Sequence, residues 1–363
     1  MNIGILTQPL TTNYGGILQC YALQKYLKDA GHNVIVLNRK VKPSILDRLK
    51  EPIRWIKYIY DGSVKGRLAI KKFIKDKINI TEPIYTSAKL YEVIKKLGIN
   101  GIIVGSDQVW RECYSPNIED YFAGFIPDDY RCLKIAYSAS FGTSNAPISD
   151  FHLKKCIKLA QKFDAISVRE EFGIELLNRR FGINATLTID PTLMLSTNEY
   201  KRLYDEKHYN GLISYILDET EEKERIISNI AQDLSLAEHK IRTTARKLNK
   251  NTINTPPIET WLNLFAKADI IVTDSFHGCV FSILHKKPFI AIANKERGIE
   301  RFTTLLGKFD ISNRLIYNYE DYQHNKSLLL RQINYNKVEE LLQKEISKSN
   351  DFINNSITLN NTR

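Results

Sequence analysis

Short apolar runs recur along this chain, each followed by a turn cluster and then a segment with helical spacing. The first instance is the clearest. Ile3–Thr7 is an apolar run, Asn13-Tyr14-Gly15-Gly16 is a turn cluster, and Ile17–Ala30 places Ile17, Leu18, Tyr21, Ala22 and Leu27 near helical spacing. Gly31 stops that helix, and the β-branched run Asn33–Leu37 predicts a second strand. A strand, a crossover helix and a strand form a right-handed unit, which implies a parallel sheet.

The pattern continues. Further strands are predicted at Gly101–Val104, Lys134–Ser138, Ala165–Val168 and Thr186–Ile189. Helices are predicted at Ser87–Leu97, from about Ser149, and from Arg169 to Phe181-Gly182. Asp190-Pro191-Thr192 reads as a hinge. A second series follows, with strands at Gly211–Leu217, Ile270–Thr273 and Pro288–Ile292 and helices at Glu219–Leu234, Ile258–Ala268, Ser275–His285 and Tyr335–Lys348. The expected fold is therefore α/β, with mostly parallel sheets in two halves, 1–190 and 191–348, on either side of the hinge. Ser349–Arg363 is rich in Asn and Ser and is expected to be a disordered tail.

Composition narrows the class. Hydrophobic residues at 43% and charged residues at 26% suit a packed globular chain. No window approaches the length of uncharged apolar sequence that a membrane-spanning helix needs, and the N-terminus carries no basic, apolar leader. The five cysteines are scattered and odd in number, which argues against a disulfide framework or a zinc knuckle. They read as core thiols of a protein of the reducing cytoplasm. The net charge of +11 is concentrated: Arg39–Lys77 holds 13 Lys and Arg against 4 acids, +9 of the total. That stretch is expected to form two helices broken near Asp61-Gly62. No zinc-finger or RNA-binding signature accompanies it, so no nucleic-acid partner is expected.

Ligands of open parallel sheets bind beyond the carboxyl ends of the strands, so the residues there are the candidates. Gly15 and Gly16, after Asn13 and Tyr14, allow helix-terminal amides to approach a ligand, or simply make a tight turn. Asp107 and Gln108, beyond Gly101–Val104, suit sugar hydroxyls, or a helix cap with a surface Gln. Trp110 and Arg111 wall a pocket, or the Trp is packed. Arg169 sits at a strand end where a helix terminus prefers anions, and is explained by a bound anion or by an internal pair with a neighbouring Glu. The stretch Asp274-Ser275-Phe276-His277-Gly278 is the most informative. His277 falls in the first turn of a buried helix, where amides suit a phosphate or carboxylate, and an imidazole there suits a general acid. A capped core histidine is the other reading. Arg297 and Arg301 follow the next strand and could complete an anion clamp with Arg169. No metal-ligand cluster is visible.

In order, the blocks Asn13-Tyr14-Gly15-Gly16, Gly105-Ser106-Asp107-Gln108-Val109-Trp110, Ala136-Tyr137-Ser138-Ala139-Ser140-Phe141-Gly142, Ser167-Val168-Arg169-Glu170, Asp190-Pro191-Thr192, Thr273-Asp274-Ser275-Phe276-His277-Gly278 and Arg301-Phe302 span most of the chain. This set resembles the polysaccharide pyruvyl transferases. The resemblance implies two Rossmann-like domains similar to the GT-B glycosyltransferases. It implies phosphoenolpyruvate as co-substrate, with no cofactor and no metal. The acceptor it implies is a sugar of a surface polysaccharide, capsule or exopolysaccharide, or of its lipid-linked precursor. The product would be a cyclic pyruvate ketal, commonly across the 4- and 6-hydroxyls. On this resemblance His277 is the catalytic acid. Arg301, Ser275 and Gly278 on the 191–348 side, which takes phosphoenolpyruvate, hold it together with Arg169. Asn13, Tyr14, Gly15, Gly16, Asp107 and Gln108 hold the sugar on the 1–190 side. Some members place an Arg two positions before the His; here that residue is Ser275, which shifts weight to Arg169 and Arg301.

Two other classes compete: a GT-B glycosyltransferase using a nucleotide sugar, and a saccharide-binding protein without catalysis. Phosphate release from phosphoenolpyruvate, against nucleoside diphosphate release, separates the first two. The basic stretch, with Ile53, Trp55, Ile56, Tyr58, Ile59 and Tyr60 interleaved, suggests peripheral contact of a cytoplasmic protein with the anionic inner membrane face. A core-facing Trp55 and Ile59 with solvated lysines is the alternative.

Overall fold

The structure, a computed structural model, describes residues 1–144, 147–243 and 252–358. In chain order the elements are β1 (Asn2–Leu6), α1 (Tyr14–Asp29), β2 (Asn33–Val36), α2 (Ile45–Tyr60), α3 (Val64–Lys77), α4 (Ser87–Lys96), β3 (Gly101–Asp107), β4 (Leu133–Ala139), α5 (Asp150–Ala160), β5 (Ala165–Val168), α6 (Glu171–Leu176) and β6 (Thr186–Leu187). There follow α7 (Thr197–Lys201), β7 (Leu212–Tyr215), α8 (Glu221–Asp233), β8 (Glu238–Arg242), β9 (Thr252–Asn254), α9 (Ile258–Lys267), β10 (Ile270–Thr273), α10 (Phe276–Leu284), β11 (Phe289–Ile292), α11 (Glu300–Lys308), β12 (Leu315–Ile316), α12 (Tyr319–Leu329) and α13 (Tyr335–Thr358).

The strands build two sheets, ordered β2-β1-β3-β4-β5-β6 and β12-β11-β10-β7-β8-β9. Every strand pairing is parallel. Each sheet reverses its winding once, between β1 and β3 in the first and between β7 and β10 in the second. At such a switch point the connections leave in opposite directions and open a crevice beyond the strand ends. The registers Leu6↔Val104 and Thr273↔Tyr215 set the two strand ends beside each other at each point.

Buried strands need apolar residues on both faces, and β1, β3, β4, β7, β10 and β11 supply them. In the first unit the aromatic core centres on Trp110, stacked 5.0 Å from Phe122, with its indole N–H donating to the Tyr121 carbonyl at 2.9 Å. Trp110 is thus a packed core residue rather than a pocket wall. Cys20, Cys156 and Cys279 are buried, and burial pushes the Cys20 and Cys156 thiols up to about 12; Cys113 is exposed and Cys132 half-buried.

Two compact units result. The first comprises Met1–Lys42, Ile74–Leu195 and the described chain from Leu342; the second comprises Pro43–Phe73 and Ser196–Leu341. This differs from a cut at residue 190 in three ways. The boundary falls after Leu195, because Asp190 is buried and caps the turn Pro191–Leu193 through Thr192. Most of the basic stretch, Pro43–Phe73, belongs to the second unit. The expected tail from Ser349 is helical to Thr358, where Ser349, Ile353 and Ile357 are buried; residues 359–363 lie outside the described residues. Among the described residues, no helix is long and apolar enough to cross a membrane.

Candidate active site

At the switch point of the first sheet, β1 hands over to a loop and α1. Asn13 caps that helix, its Oδ1 accepting the Gly16 amide at 3.2 Å. Such a cap satisfies a donor that the helix start would otherwise leave open. A side chain at position 16 would meet the Asp107 Oδ2 at 3.2 Å, so the glycine brings the helix start against the end of β3. Asn13, Gly16 and Asp107 are therefore brought together. Tyr14 is fully buried. Gly15 is buried beside it. Gln108 lies over Gly142 and accepts from Arg111 at 3.1 Å. Gly142 has φ 76°, a left-handed backbone that favours glycine, and a Cβ there would displace the Gln108 side chain.

Arg169 departs from expectation. Its guanidinium donates to Asp190 at 2.8 Å and to Asp107 at 3.3 Å, with Glu170 at 3.8 Å, and all four side chains are buried. Burial alone would lower its pKa, but Asp107, Asp190 and Glu170 outweigh that and raise it. A guanidinium neutralised by three carboxylates is a poor clamp for a further anion. Its role is to orient Asp107 by hydrogen bonding. The Asp190 carboxylate also accepts from Ser106 at 3.2 Å, and Glu170 accepts the Phe141 amide at 2.8 Å. The internal-pair reading of Arg169 holds, with two distant acids as its main partners.

At the switch point of the second sheet, Asp274 follows β10 and is fully buried. It accepts the Leu217 amide at 2.6 Å, the Asp218 amide at 3.2 Å, the Lys223 ammonium at 2.8 Å and the Asn294 side chain at 3.0 Å. One carboxylate thereby ties the loops after β7, β10 and β11 to the start of α8. The sequence reading assigned no role to Asp274, Asp218, Lys223 or Asn294. The available signal was an acid directly between a buried strand and a helix cap.

Ser275 caps α10 by accepting the Gly278 amide at 3.3 Å, and its own amide donates to Thr273 Oγ1 at 3.1 Å. Ser275 and Gly278 thus build the helix start, because each already engages the other. A Cβ on Gly278 would approach Thr273 Oγ1 to 2.3 Å, so strand and helix pack too tightly for any side chain there. His277 is buried in the first turn. Its ring stands 5.1 Å from that of Phe276, edge-on, and the Arg301 guanidinium lies 5.6 Å from the same Phe276 ring. His277 and Arg301 are thus neighbours of one aromatic side chain. Arg297 is engaged elsewhere, donating to Asp218 at 3.0 Å; hydrogen bonding from Arg297 is the largest influence holding the Asp218 carboxyl down at about 2. Among the described residues, no three His, Cys, Asp or Glu side chains gather to hold a metal ion.

The fold has relatives among solved structures. It is similar to a mutant of S. aureus TarM in complex with fondaparinux, alpha-GlcNAc-glycerol and UDP, with TM-score 0.57, 12% identity and 99% of each chain covered. It is similar to UDP-GlcNAc 2-epimerase from Neisseria meningitidis bound to UDP-GlcNAc, with TM-score 0.56, 12% identity, and 99% of this chain and 100% of that one covered. It is also similar to a glycosyltransferase from Rickettsia africae ESF-5, with TM-score 0.54, 12% identity, and 97% and 94% covered. At this identity the likeness establishes the GT-B-like α/β fold. No curated protein sequence matches the chain. All the ordered motifs except Arg301-Phe302 lie within residues 13–296, the span matched by the family model for polysaccharide pyruvyl transferase, and the chain belongs to that family.

Proposed function

We propose that this protein transfers the pyruvyl group of phosphoenolpyruvate to two hydroxyls of one sugar in a surface polysaccharide or its lipid-linked precursor, forming a cyclic ketal and releasing phosphate. The observation that carries the reading is that His277 and Arg301 both lie against the Phe276 ring at the second switch point. A donor with a phosphate, a carboxylate and a basic methylene carbon calls for a cation and a proton source together.

In the proposed reaction His277 gives a proton to the methylene carbon, which becomes a methyl group and leaves an oxocarbenium-like centre at C2. The first sugar hydroxyl bonds to C2 and gives up its proton, which restores the imidazolium. The C2–O bond to phosphate then breaks, and the second hydroxyl bonds to C2, its proton leaving with the phosphate. Arg301 pairs with the donor's negative charge, and the start of α10, shaped by Ser275 and Gly278, favours an anion. On the first unit, Asn13, Gly15, Gly16, Asp107 and Gln108 receive the sugar, with Arg169 positioning Asp107. Tyr14 supports that loop from the core.

The test is incubation with phosphoenolpyruvate and a panel of lipid-linked or nitrophenyl glycosides, followed by mass spectrometry and phosphate assay. The expected product gains one pyruvate less one water, with one phosphate released per ketal. Release of nucleoside diphosphate from a nucleotide sugar, with phosphoenolpyruvate unconsumed, overturns the proposal.

A further inference from the structure

The helix α2 is unlike every other helix of its length here, because none of its residues is buried. Its two sides are nevertheless sharply different. Trp55 and Tyr58 are half-buried and face α3, with Lys71 5.4 Å from the Trp55 ring and Arg67 3.9 Å from the Tyr58 ring. On the opposite side Leu46, Leu49, Ile53, Ile56 and Tyr60 recur three or four residues apart and are 64 to 79% exposed. Single exposed apolar side chains are ordinary, but a continuous stripe along a whole helix marks a docking surface.

The hairpin that presents this stripe is anchored. A capping box of Ser44 and Asp47 starts α2. At its end, Asp61 is buried and its carbonyl accepts from Asn254 at 2.9 Å. In α3, Gly66 lies so near the Thr255 carbonyl that a Cβ would overlap it at 1.5 Å. The apolar stripe is therefore held out by a fixed support.

Charge identifies the occupant. Helical spacing puts exposed Lys50 and Lys57 along one edge of the stripe and exposed Arg48 along the other. The acids of the helix, Asp47 and Glu51, fall on the side away from the stripe, and Asp47 is already paired with Arg54 at 3.1 Å. A second copy of this face would repel the first, since both carry the same basic edges and neither offers an acid beside them. We propose that α2 lies in the plane of an anionic lipid surface, with its apolar stripe among the acyl chains and Lys50, Lys57 and Arg48 among the headgroups. This corrects the sequence expectation in detail: Trp55 and Tyr58 turn inward, and Leu46 and Leu49 join Ile53, Ile56 and Tyr60 at the contact.

The test is co-sedimentation of the full chain with vesicles of phosphatidylcholine alone or containing about a third phosphatidylglycerol. Wild type is expected to sediment with the anionic vesicles and not the neutral ones. Raising salt from about 0.1 M to about 1 M shortens the Debye length from about 10 Å to about 3 Å and is expected to release it. Ile53→Glu/Ile56→Glu and Lys50→Glu/Lys57→Glu are each expected to weaken binding by about tenfold or more. Because these side chains are exposed, both variants are expected to keep the wild-type unfolding midpoint and phosphate release with a soluble glycoside. Equal partition onto both vesicle types, no binding to either, or wild-type binding by Ile53→Glu/Ile56→Glu overturns the proposal. So does a dimer in solution that Ile53→Glu/Ile56→Glu dissociates while vesicles go unbound.

Discussion

Replacing His277 with Asn is expected to lower kcat for phosphate release by about 10²–10⁴, the usual contribution of a general acid, with little change in the donor's KM. Stopped assays at saturating phosphoenolpyruvate measure it, and near-normal turnover removes His277 from the mechanism. Arg301→Ala is expected to raise the KM for phosphoenolpyruvate by about 10-fold to 100-fold, since a hydrogen bond to a charged group contributes about 1.5–3 kcal/mol. Arg169→Ala should behave differently. It leaves Asp107, Asp190 and Glu170 buried without their cation, a loss of about 3–5 kcal/mol for a broken buried pair. Urea unfolding should show that loss, and a KM effect confined to phosphoenolpyruvate at full stability would restore Arg169 to the donor site. The placement of Asp107 and His277 at or just beyond the carboxyl end of a strand is legible in sequence, because an apolar run precedes each. The engagement of Arg169 is not, because its partners lie 62 and 21 positions away.

At the level of elements, α10 carries a second histidine with a different fate. His285 ends the helix, its Nε2 sealed from solvent and unpartnered even though part of the residue reaches the surface. Burial, reinforced by Lys287 and Lys201, lowers its pKa from 6.5 to about 3. The unfolded chain therefore takes up a proton as pH falls below about 6.5, while the folded chain resists until about 3. Stability should decline across that window, by up to about 1.4 kcal/mol per pH unit from this group. Urea midpoints at a series of pH values for wild type and His285→Phe measure it; the variant should lose this part of the slope. Strands with apolar runs were readable from sequence. β8 was not, because Glu238–Arg242 is mostly charged and half-buried, its Lys240 and Arg242 paired with Glu238, Glu224 and Glu219. The short β9 and β12 and helix α12 also lacked a clear apolar pattern, whereas α11 carries one in Phe302, Leu305 and Leu306, three and four residues apart, that the sequence reading passed over.

At the scale of the whole molecule, the chain's far end is part of the first unit. Ser349 on α13 accepts the Ile189 amide at 3.2 Å, and Phe352 lies 6.3 Å from the Tyr137 ring, whose hydroxyl donates to the Ile189 carbonyl at 3.0 Å. Ending the chain at Leu341 is expected to destabilise the first unit by about 2–5 kcal/mol, the range for losing one large buried contact, since Ile353 and Ile357 go as well. Thermal unfolding of the truncated chain checks this; an unchanged midpoint would show that α13 contributes nothing to that unit.

Local pattern was enough to establish the class of fold, the parallel sense of its sheets and the loops that carry polar groups, because strand–turn–helix alternation and glycine turns are properties of neighbouring residues. It also located the basic stretch and the break at Asp61-Gly62, which the structure places between α2 and α3. Strand order, and with it which loops meet at a switch point, came from packing alone. Packing likewise paired Arg169 with the distant Asp107 and Asp190, gathered three loops on Asp274, and turned Trp55 inward while leaving Ile53 and Ile56 outside. Each of these depends on residues far apart in the chain, whose approach is set by how whole elements pack and not by the sequence around any one of them.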